Sequence, residues 1–152
     1  MAKEQTDKAL PQERVFKESK IQHICVNWFR RNFPNLDILL YAVPNGGKQS
    51  STAAFMHTYE GRVSGVPDLI LAVPCNEYGH LGIEMKVPKR KGSSAGKQSE
   101  AQKEWQRRSE QAGNKYVVCH CLAEFIEAVC DYLGMPSEER VAKAIVEFYT
   151  YL

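Results

Sequence analysis

The stretch from Gly65 to Lys86 constrains the fold of this 152-residue chain more than any other. It contains two short apolar runs, Leu69 to Val73 and Leu81 to Ile83, and each run is bounded by turn-forming residues. Such runs are typical of buried strands. A link of hairpin length joins them, with Asn76 to Gly79 at its turn. The pattern therefore predicts two neighbouring core strands that pair as a β-hairpin.

Charged side chains stand at the ends of both predicted strands. Asp68 opens the first strand, just after Pro67, and Glu84 closes the second strand, two residues before Lys86. Because side chains alternate across a strand, Glu84 and Lys86 share one face while Met85 points to the other. The hairpin would bring Asp68 and Glu84 to the same open end. Burying charges costs several kcal/mol, so this cluster suits a divalent cation and a polarised water better than it suits stability.

Each half of this pattern also has a purely structural interpretation. Pro-Asp at the start of a strand is common turn chemistry, and Glu-x-Lys on an edge strand is often a solvated face. The presence of both halves, each at a strand end and joined by a hairpin-length link, favours a functional site.

The order of the motifs resembles a known family. Pro67-Asp68 followed by Glu84-Met85-Lys86 resembles the motif of the PD-(D/E)xK nuclease superfamily. More narrowly, the series GVPDL, IEMKVP, QSEAQKEW and GNKYVVC is similar to the VRR-NUC (virus-type replication-repair nuclease) domain, over about residues 18 to 129. The superfamily motif is loose, whereas four blocks in this order are much more specific. The resemblance implies an α/β fold with a restriction-endonuclease-like core, in which helices flank a mixed central β-sheet.

The same resemblance implies a set of catalytic and metal-binding residues. Asp68 and Glu84 would bind Mg²⁺ or Mn²⁺ together with the backbone carbonyl of Met85. Lys86 would orient the attacking water or stabilise the charge that grows on the phosphate. In this family a glutamate of the first helix points at the metal site, and Glu18 in the E-S-K-I-Q run matches that position. Without the resemblance, an exposed helical glutamate is the ordinary expectation.

Gln102 has two explanations. Ser99 and Gln102 fit an S-x-x-Q capping box at the start of a helix, which would give the glutamine a structural role. The family resemblance instead brings a glutamine of this helix towards the catalytic lysine. Both explanations remain open from the sequence.

Two segments are candidates for contact with DNA. Asn45-Gly46-Gly47, followed by Lys48, forms a turn that tolerates positive φ and could let backbone amides approach a phosphate. The spacing alone favours a simple turn, although PNGGK also resembles a recurrent loop of the family. The second segment, Lys86 to Lys115, has nine basic and three acidic residues, whereas the whole chain has a net charge of only +2. A basic segment directly after the suspected site suits a polyanionic substrate. Its loop is rich in glycine and serine and carries Lys89, Arg90, Lys91 and Lys97.

Composition and cysteine spacing exclude other classes of protein. Hydrophobic residues make up 43% of the chain, yet no apolar run approaches the roughly 20 residues of a membrane span. The five cysteines lack the spacing of a disulfide framework, which predicts reduced thiols in an intracellular protein, cytoplasmic or in the host cytoplasm if the protein is viral. Cys119 and Cys121 lie two apart on a predicted strand rather than in a C-x-x-C pair, so structural zinc is not expected.

The remaining patterns predict one domain across residues 1–152. Residues 1–12 are polar and are expected to fray. Apolar spacing and capping signals predict the other elements. These are helices at Glu13–Asn32, Ser50–Glu60, from Ser99 onwards, Leu122–Leu133 and Ser137–Leu152, and strands at Ile38–Val43 and Tyr116–Cys121.

The sequence thus predicts a metal-dependent DNA endonuclease. The family resemblance further implies a structure-specific enzyme, similar to Holliday junction resolvases, that acts on branched DNA as a homodimer, which suits the two equivalent strands of a four-way junction. Large side chains near the C-terminus would either meet a twofold mate or cover their own domain; they are Phe148, Tyr149, Tyr151 and Leu152. The alternatives are a nuclease with a flap, exonuclease or restriction-like target, and a non-catalytic DNA-binding module. The intact set of Asp68, Glu84 and Lys86 argues against the last.

Overall fold

The computed structural model describes residues 11–44, 50–89, 92 and 94–150, with side chains from 18 to 147 within those ranges. In chain order the elements are α1 (Pro11–Asn32), a 3-10 turn (Asp37–Leu39), β1 (Leu40–Ala42), α2 (Ser51–Tyr59), β2 (Leu69–Leu71), β3 (Leu81–Met85), α3 (Glu100–Gln111), β4 (Lys115–Cys119), α4 (Leu122–Leu133) and α5 (Glu138–Thr150). No helix within this part of the chain is both long enough and apolar enough to cross a membrane.

The four strands form one mixed sheet in the order β1-β2-β3-β4. β2 pairs antiparallel with β1 and with β3, whereas β3 and β4 are parallel. The β2–β3 connection is the predicted hairpin, with a bridge between Cys75 and Tyr78 and a left-handed Asn76 (φ 52°) between them. Asparagine tolerates this conformation better than most residues. Parallel β3 and β4 require a crossover, and α3 supplies it. The predicted mixed α/β fold is therefore confirmed.

One face of the sheet forms the main core with α1 and α4. Leu81, Ile83 and Met85 alternate along β3 and point into this core, where they are almost completely buried. The helices contribute large apolar side chains that pack on them; these are Trp28 and Phe29 from α1 and Phe125, Ile126 and Val129 from α4. The alternation of β3 leaves Gly82 and Glu84 on the opposite face.

That opposite face lies under α3. The register aligns Ile70, Gly82 and Tyr116 in one row across β2, β3 and β4. Gly82 leaves room for two rings, because a Cβ there would lie 3.1 Å from Pro67 Cγ and 3.4 Å from Tyr116 Cδ2. Trp105 of α3 packs beside Tyr116, with ring centroids 6.0 Å apart. The second face is therefore partly polar where the first is apolar throughout.

Two details of the sequence prediction are wrong. The first strand does not begin at Ile38, since residues 37–39 form a 3-10 turn and Ile38 is 80% exposed. On α3, the apolar residues Ala101, Trp105 and Ala112 predict the buried face, yet both alanines are exposed. Trp105 is half-buried, and Ser109 is buried instead. Bulky Trp105 fixes which face of this polar helix turns inward, because it gains most from contact with the sheet.

Candidate active site

Asp68 lies just before β2 and is joined directly to β3. Its Oδ2 accepts a hydrogen bond from the backbone N–H of Met85, with an N···O distance of 2.7 Å. Leu69 pairs with Ile83, so the next position outward along the antiparallel pair sets Asp68 opposite Glu84. The two carboxylates therefore meet at one open end of the hairpin, on the face covered by α3.

Glu84 is a buried carboxylate, only 1% exposed, that receives three donors. Lys86 Nζ lies 2.7 Å from Oε1, and the Gln102 side-chain amide donates to the same oxygen. The Tyr116 hydroxyl lies 3.5 Å from the other oxygen, Oε2. The donors come from β3, α3 and β4, so three elements converge on a single carboxylate.

The acidic groups of this site raise one another's pKa. Burial raises the pKa of Glu84 above its ordinary value; hydrogen bonding to Lys86 opposes that rise, and the charges of Asp68 and Glu18 add to it. Burial likewise raises the pKa of Glu18, Lys86 opposes the rise, and Asp68 adds to it. Carboxylates that raise one another's pKa favour a nearby cation, because a positive charge relieves their repulsion.

Glu18 reaches this site from α1, the helix on the other side of the sheet end. Although burial raises the pKa of its carboxylate, Lys86 and the backbone N–H of Val87 lower that pKa. Glu18 therefore lies within electrostatic reach of the lysine and of both strand carboxylates. A role for Glu18 at a metal ion stays a prediction.

Gln102 forms the predicted capping box and also contacts the site, where its partner is Glu84. Its Oε1 accepts from the Ser99 N–H at 2.8 Å, and its own N–H donates to Ser99 Oγ at 3.2 Å, so the predicted capping box is confirmed. An amide has a separate donor group, and that group donates to Glu84. The cap of α3 is thus tied to the buried carboxylate.

Two glycines let the chain close tightly around the charged residues. Gly65 has φ +84°, and a Cβ there would lie 2.2 Å from the carbonyl oxygen of Ala101, so only glycine fits. The contact presses the segment leading to Asp68 against the start of α3. Gly96 donates its N–H to the carbonyl of Val87 at 3.1 Å and lies against the stem of Lys86. The loop after β3 therefore returns over the lysine.

The predicted DNA-binding residues are only partly described. Lys89 and Lys97 are exposed on the two arms of the loop after β3. Asn45, Lys48, Arg90 and Lys91 lie outside the described residues. The basic side chains of α3 are already engaged with acidic neighbours on the same helix, so the loop holds the more available positive charge. These pairs are Lys103 with Glu100, and Arg107 and Arg108 with Glu104.

The sequence interpretation missed a polar pair on the β4 side of the site. The sequence predicts Tyr116 only as part of a core strand and assigns no role to Gln98. In the structure the Gln98 side chain lies close enough to the Tyr116 hydroxyl to lower its pKa, although burial has the larger effect and raises it. The phenol thus stays protonated and can donate. Only the parallel pairing of β3 with β4 reveals this contact, and no local sequence signal does.

The donor set was tested for a metal ion. Within residues 18–44, 50–89 and the other described positions, no three His, Cys, Asp or Glu side chains form a group that could hold a metal by themselves. The oxygen donors at hand are the carboxylates of Asp68 and Glu84 and the backbone carbonyl of Met85, which faces the same side of β3 as its N–H. Oxygen ligands of this type suit Mg²⁺, which keeps several waters. These oxygen donors therefore fit a hydrated divalent cation.

Comparisons with known proteins identify the family and support the fold. The model of the VRR-NUC domain family matches residues 1–123. A solved structure described as a VRR_NUC domain protein has a TM-score of 0.65 and 24% identity, over 80% of this chain and 91% of that chain, which shows a shared fold. No match was found among curated proteins. Since the family model covers most of the sequence, this chain belongs to the VRR-NUC family and is a nuclease-type domain.

Proposed function

We propose that this protein is a divalent-metal-dependent DNA endonuclease that prefers branched DNA. One observation carries the proposal. Asp68 and Glu84 meet at the same end of the β2–β3 hairpin, with Lys86 bonded to Glu84 at 2.7 Å. Membership of a nuclease family in which divalent metals are generally required supports the same chemistry.

Asp68, Glu84 and the Met85 carbonyl would hold the ion. A bound Mg²⁺ or Mn²⁺ supplies Lewis-acid polarisation of the scissile phosphate and a more acidic water. The protein contributes a rigid frame, because the Met85 N–H fixes Asp68 and three donors fix Glu84. A fixed frame matters since preorganised charges need no rearrangement during the reaction.

Lys86 is the residue with two available partners. In hydrolysis a water oxygen forms a bond to phosphorus while the bond from phosphorus to the leaving sugar oxygen breaks, and charge builds on the phosphate oxygens. Lys86 is 14% exposed, so its ammonium can turn from Glu84 towards the solvent side where DNA would lie. There it would donate to the attacking water or to the phosphate, which stabilises the developing charge.

The proposal is tested by cleavage of DNA with Mg²⁺ or Mn²⁺ present. We expect Asp68→Asn, Glu84→Gln and Lys86→Met each to lower the cleavage rate by at least about 10²-fold, because each removes charge from the reacting centre. A chelator should act like the carboxylate variants. Asp131→Asn is the matched control, since this residue forms an ion pair away from the β2–β3 end, and it should cut at the wild-type rate.

Near wild-type cleavage by the Lys86→Met protein would remove the proposed mechanism. Folding of each variant is checked by its thermal transition, and DNA binding by a shift assay. Variants that fold and bind DNA but do not cut separate the chemistry from the binding surface.

A further inference from the structure

The second carboxylate oxygen of Glu84, Oε2, contacts a residue of the neighbouring strand β4. Tyr116 is 6% exposed on β4, opposite Gly82, and its ring occupies the space that a side chain at Gly82 would fill. From there its hydroxyl reaches Glu84 Oε2 at 3.5 Å. This is a long hydrogen bond, of a kind that often tightens when an active site binds its ligands.

The side chain of Gln98 lies beside the Tyr116 hydroxyl. Gln98, the residue before the cap of α3, brings its side chain close to the hydroxyl. Gln98 Nε2 donates to Gln106 Oε1 at 2.9 Å, and Gln106 Nε2 donates to Glu110 Oε1 at 3.0 Å. Gln106 and Glu110 of α3 thus fix the Gln98 side chain beside the phenol.

The two carboxylate oxygens of Glu84 have different partners. Oε1 receives Lys86 and Gln102, whereas Oε2 receives Tyr116. In the proposed reaction Lys86 leaves Glu84 to face the phosphate, so Oε1 loses its charged partner. The contact at Oε2 does not depend on Lys86, and it can hold the carboxylate in place while the lysine moves.

We propose that Tyr116, supported by Gln98, is a positioning residue that fixes the orientation of Glu84 for binding of the divalent ion. The inference rests on the proposed function for the identity of the ion. It adds two residues, from β4 and from the segment before α3, to those that support the site. Hydrogen bonds to metal-binding carboxylates are known to tune affinity in this way.

The test measures Mn²⁺ binding by calorimetry, without DNA. Tyr116→Phe keeps the ring between Gly82 and Trp105 but removes the hydroxyl, and we expect Mn²⁺ binding to weaken by about 10–100-fold. Tyr132→Phe is the matched control: Tyr132 is also buried, and its hydroxyl donates to the Val73 carbonyl away from the site. Tyr132→Phe should bind Mn²⁺ as the wild type does, although its melting temperature should change about as much as that of Tyr116→Phe.

A second variant tests the support from Gln98. Gln98→Met keeps the length of the side chain and should weaken Mn²⁺ binding in the same direction. Because Gln98 acts through the Tyr116 hydroxyl, the double variant should bind no more weakly than Tyr116→Phe alone. In DNA cleavage at fixed Mn²⁺, Tyr116→Phe should lower kcat and leave KM for DNA unchanged.

The outcomes separate this inference from the proposed function. Unchanged Mn²⁺ affinity in Tyr116→Phe, equal weakening in Tyr132→Phe, or no Mn²⁺ binding by the wild type would overturn the inference. A wild type that binds Mn²⁺ in a Tyr116-dependent way but cuts no DNA would overturn the nuclease and leave the positioning role intact.

Discussion

At the scale of single residues, Glu84 shows that the site is not arranged for maximum stability. A carboxylate buried to 1% exposure costs several kcal/mol unless donors compensate it. Lys86, Gln102 and Tyr116 supply that compensation, yet Asp68 and Glu18 still raise its pKa. An unfavourable free energy of burial of this kind is typical of functional sites, where a protein retains an arrangement that does not maximise stability.

The raised pKa gives a prediction about unfolding and pH. The folded state holds the Glu84 proton more tightly than the unfolded chain, so the stabilisation from protonation is present at low pH. It is lost as pH rises from about 4.5 through the raised pKa. We expect the unfolding free energy of wild type minus that of Glu84→Gln to fall across this window, by at most about 1.4 kcal/mol per pH unit. Denaturant titrations at several pH values measure the difference, and a pH-independent difference would contradict it.

At the scale of elements, α3 holds the site together. Its capping box includes Gln102, which also donates to Glu84, and its inward face carries Trp105 against Tyr116. Its first turn touches the chain that leads into β2, because Gly65 lies against Ala101. A shift of α3 would therefore move donors to Glu84 and the approach to Asp68 together.

Two glycines on the same connection test this coupling. Gly65 and Gly61 both have positive φ, but a Cβ on Gly65 would meet Ala101 whereas one on Gly61 would meet nothing within 4 Å. We expect Gly61→Ala to cost about 1–2 kcal/mol of unfolding free energy from backbone strain alone. Gly65→Ala should cost more and should lower cleavage, because α3 or Asp68 must move. Equal losses of stability and activity in the two variants would show that the contact with α3 is unimportant.

At the scale of the whole molecule, the site lies at one end of the sheet and the exposed loop after β3 rises beside it. Lys89 and Lys97 on that loop are exposed, while the basic residues of α3 pair within their own helix. Under the proposed function, the loop and the strand ends would form the face that contacts DNA. On α5, the apolar side chains Ile145 and Val146 are exposed, whereas those of Phe148, Tyr149, Tyr151 and Leu152 lie outside the described residues.

We predict a homodimer that cuts a four-way junction at paired positions, in preference to plain duplex. A twofold pair of sites would match the two equivalent strands of the junction, whereas a monomer would have to rebind between cuts. Light scattering at micromolar concentration measures the state, and digestion of junction, flap and duplex measures the preference. If only monomer is found, or if junction and duplex are cut equally, the assignment as a resolvase is excluded. The proposed nuclease activity would not be affected by either result.

Much of the fold follows from local patterns in the sequence. The hairpin, the bounds of α4 and the capping box of α3 were all predicted, because strand alternation, helical periodicity and capping depend on neighbours a few residues apart. The same alternation shows that Glu84 and Lys86 share a face. The error at Ile38 arose where an apolar residue next to a strand is simply exposed, which periodicity does not detect.

The surroundings of Glu84 were decided by tertiary structure. Gln102 and Tyr116 lie 18 and 32 residues from it along the chain, and they meet it only because β4 pairs parallel with β3 while α3 packs over both. Glu18 joins them because α1 packs across the sheet end. Sequence by itself determined the direction of each side chain within its own element, since that direction has a fixed period. The elements that come to face one another were determined by packing, which no local period encodes.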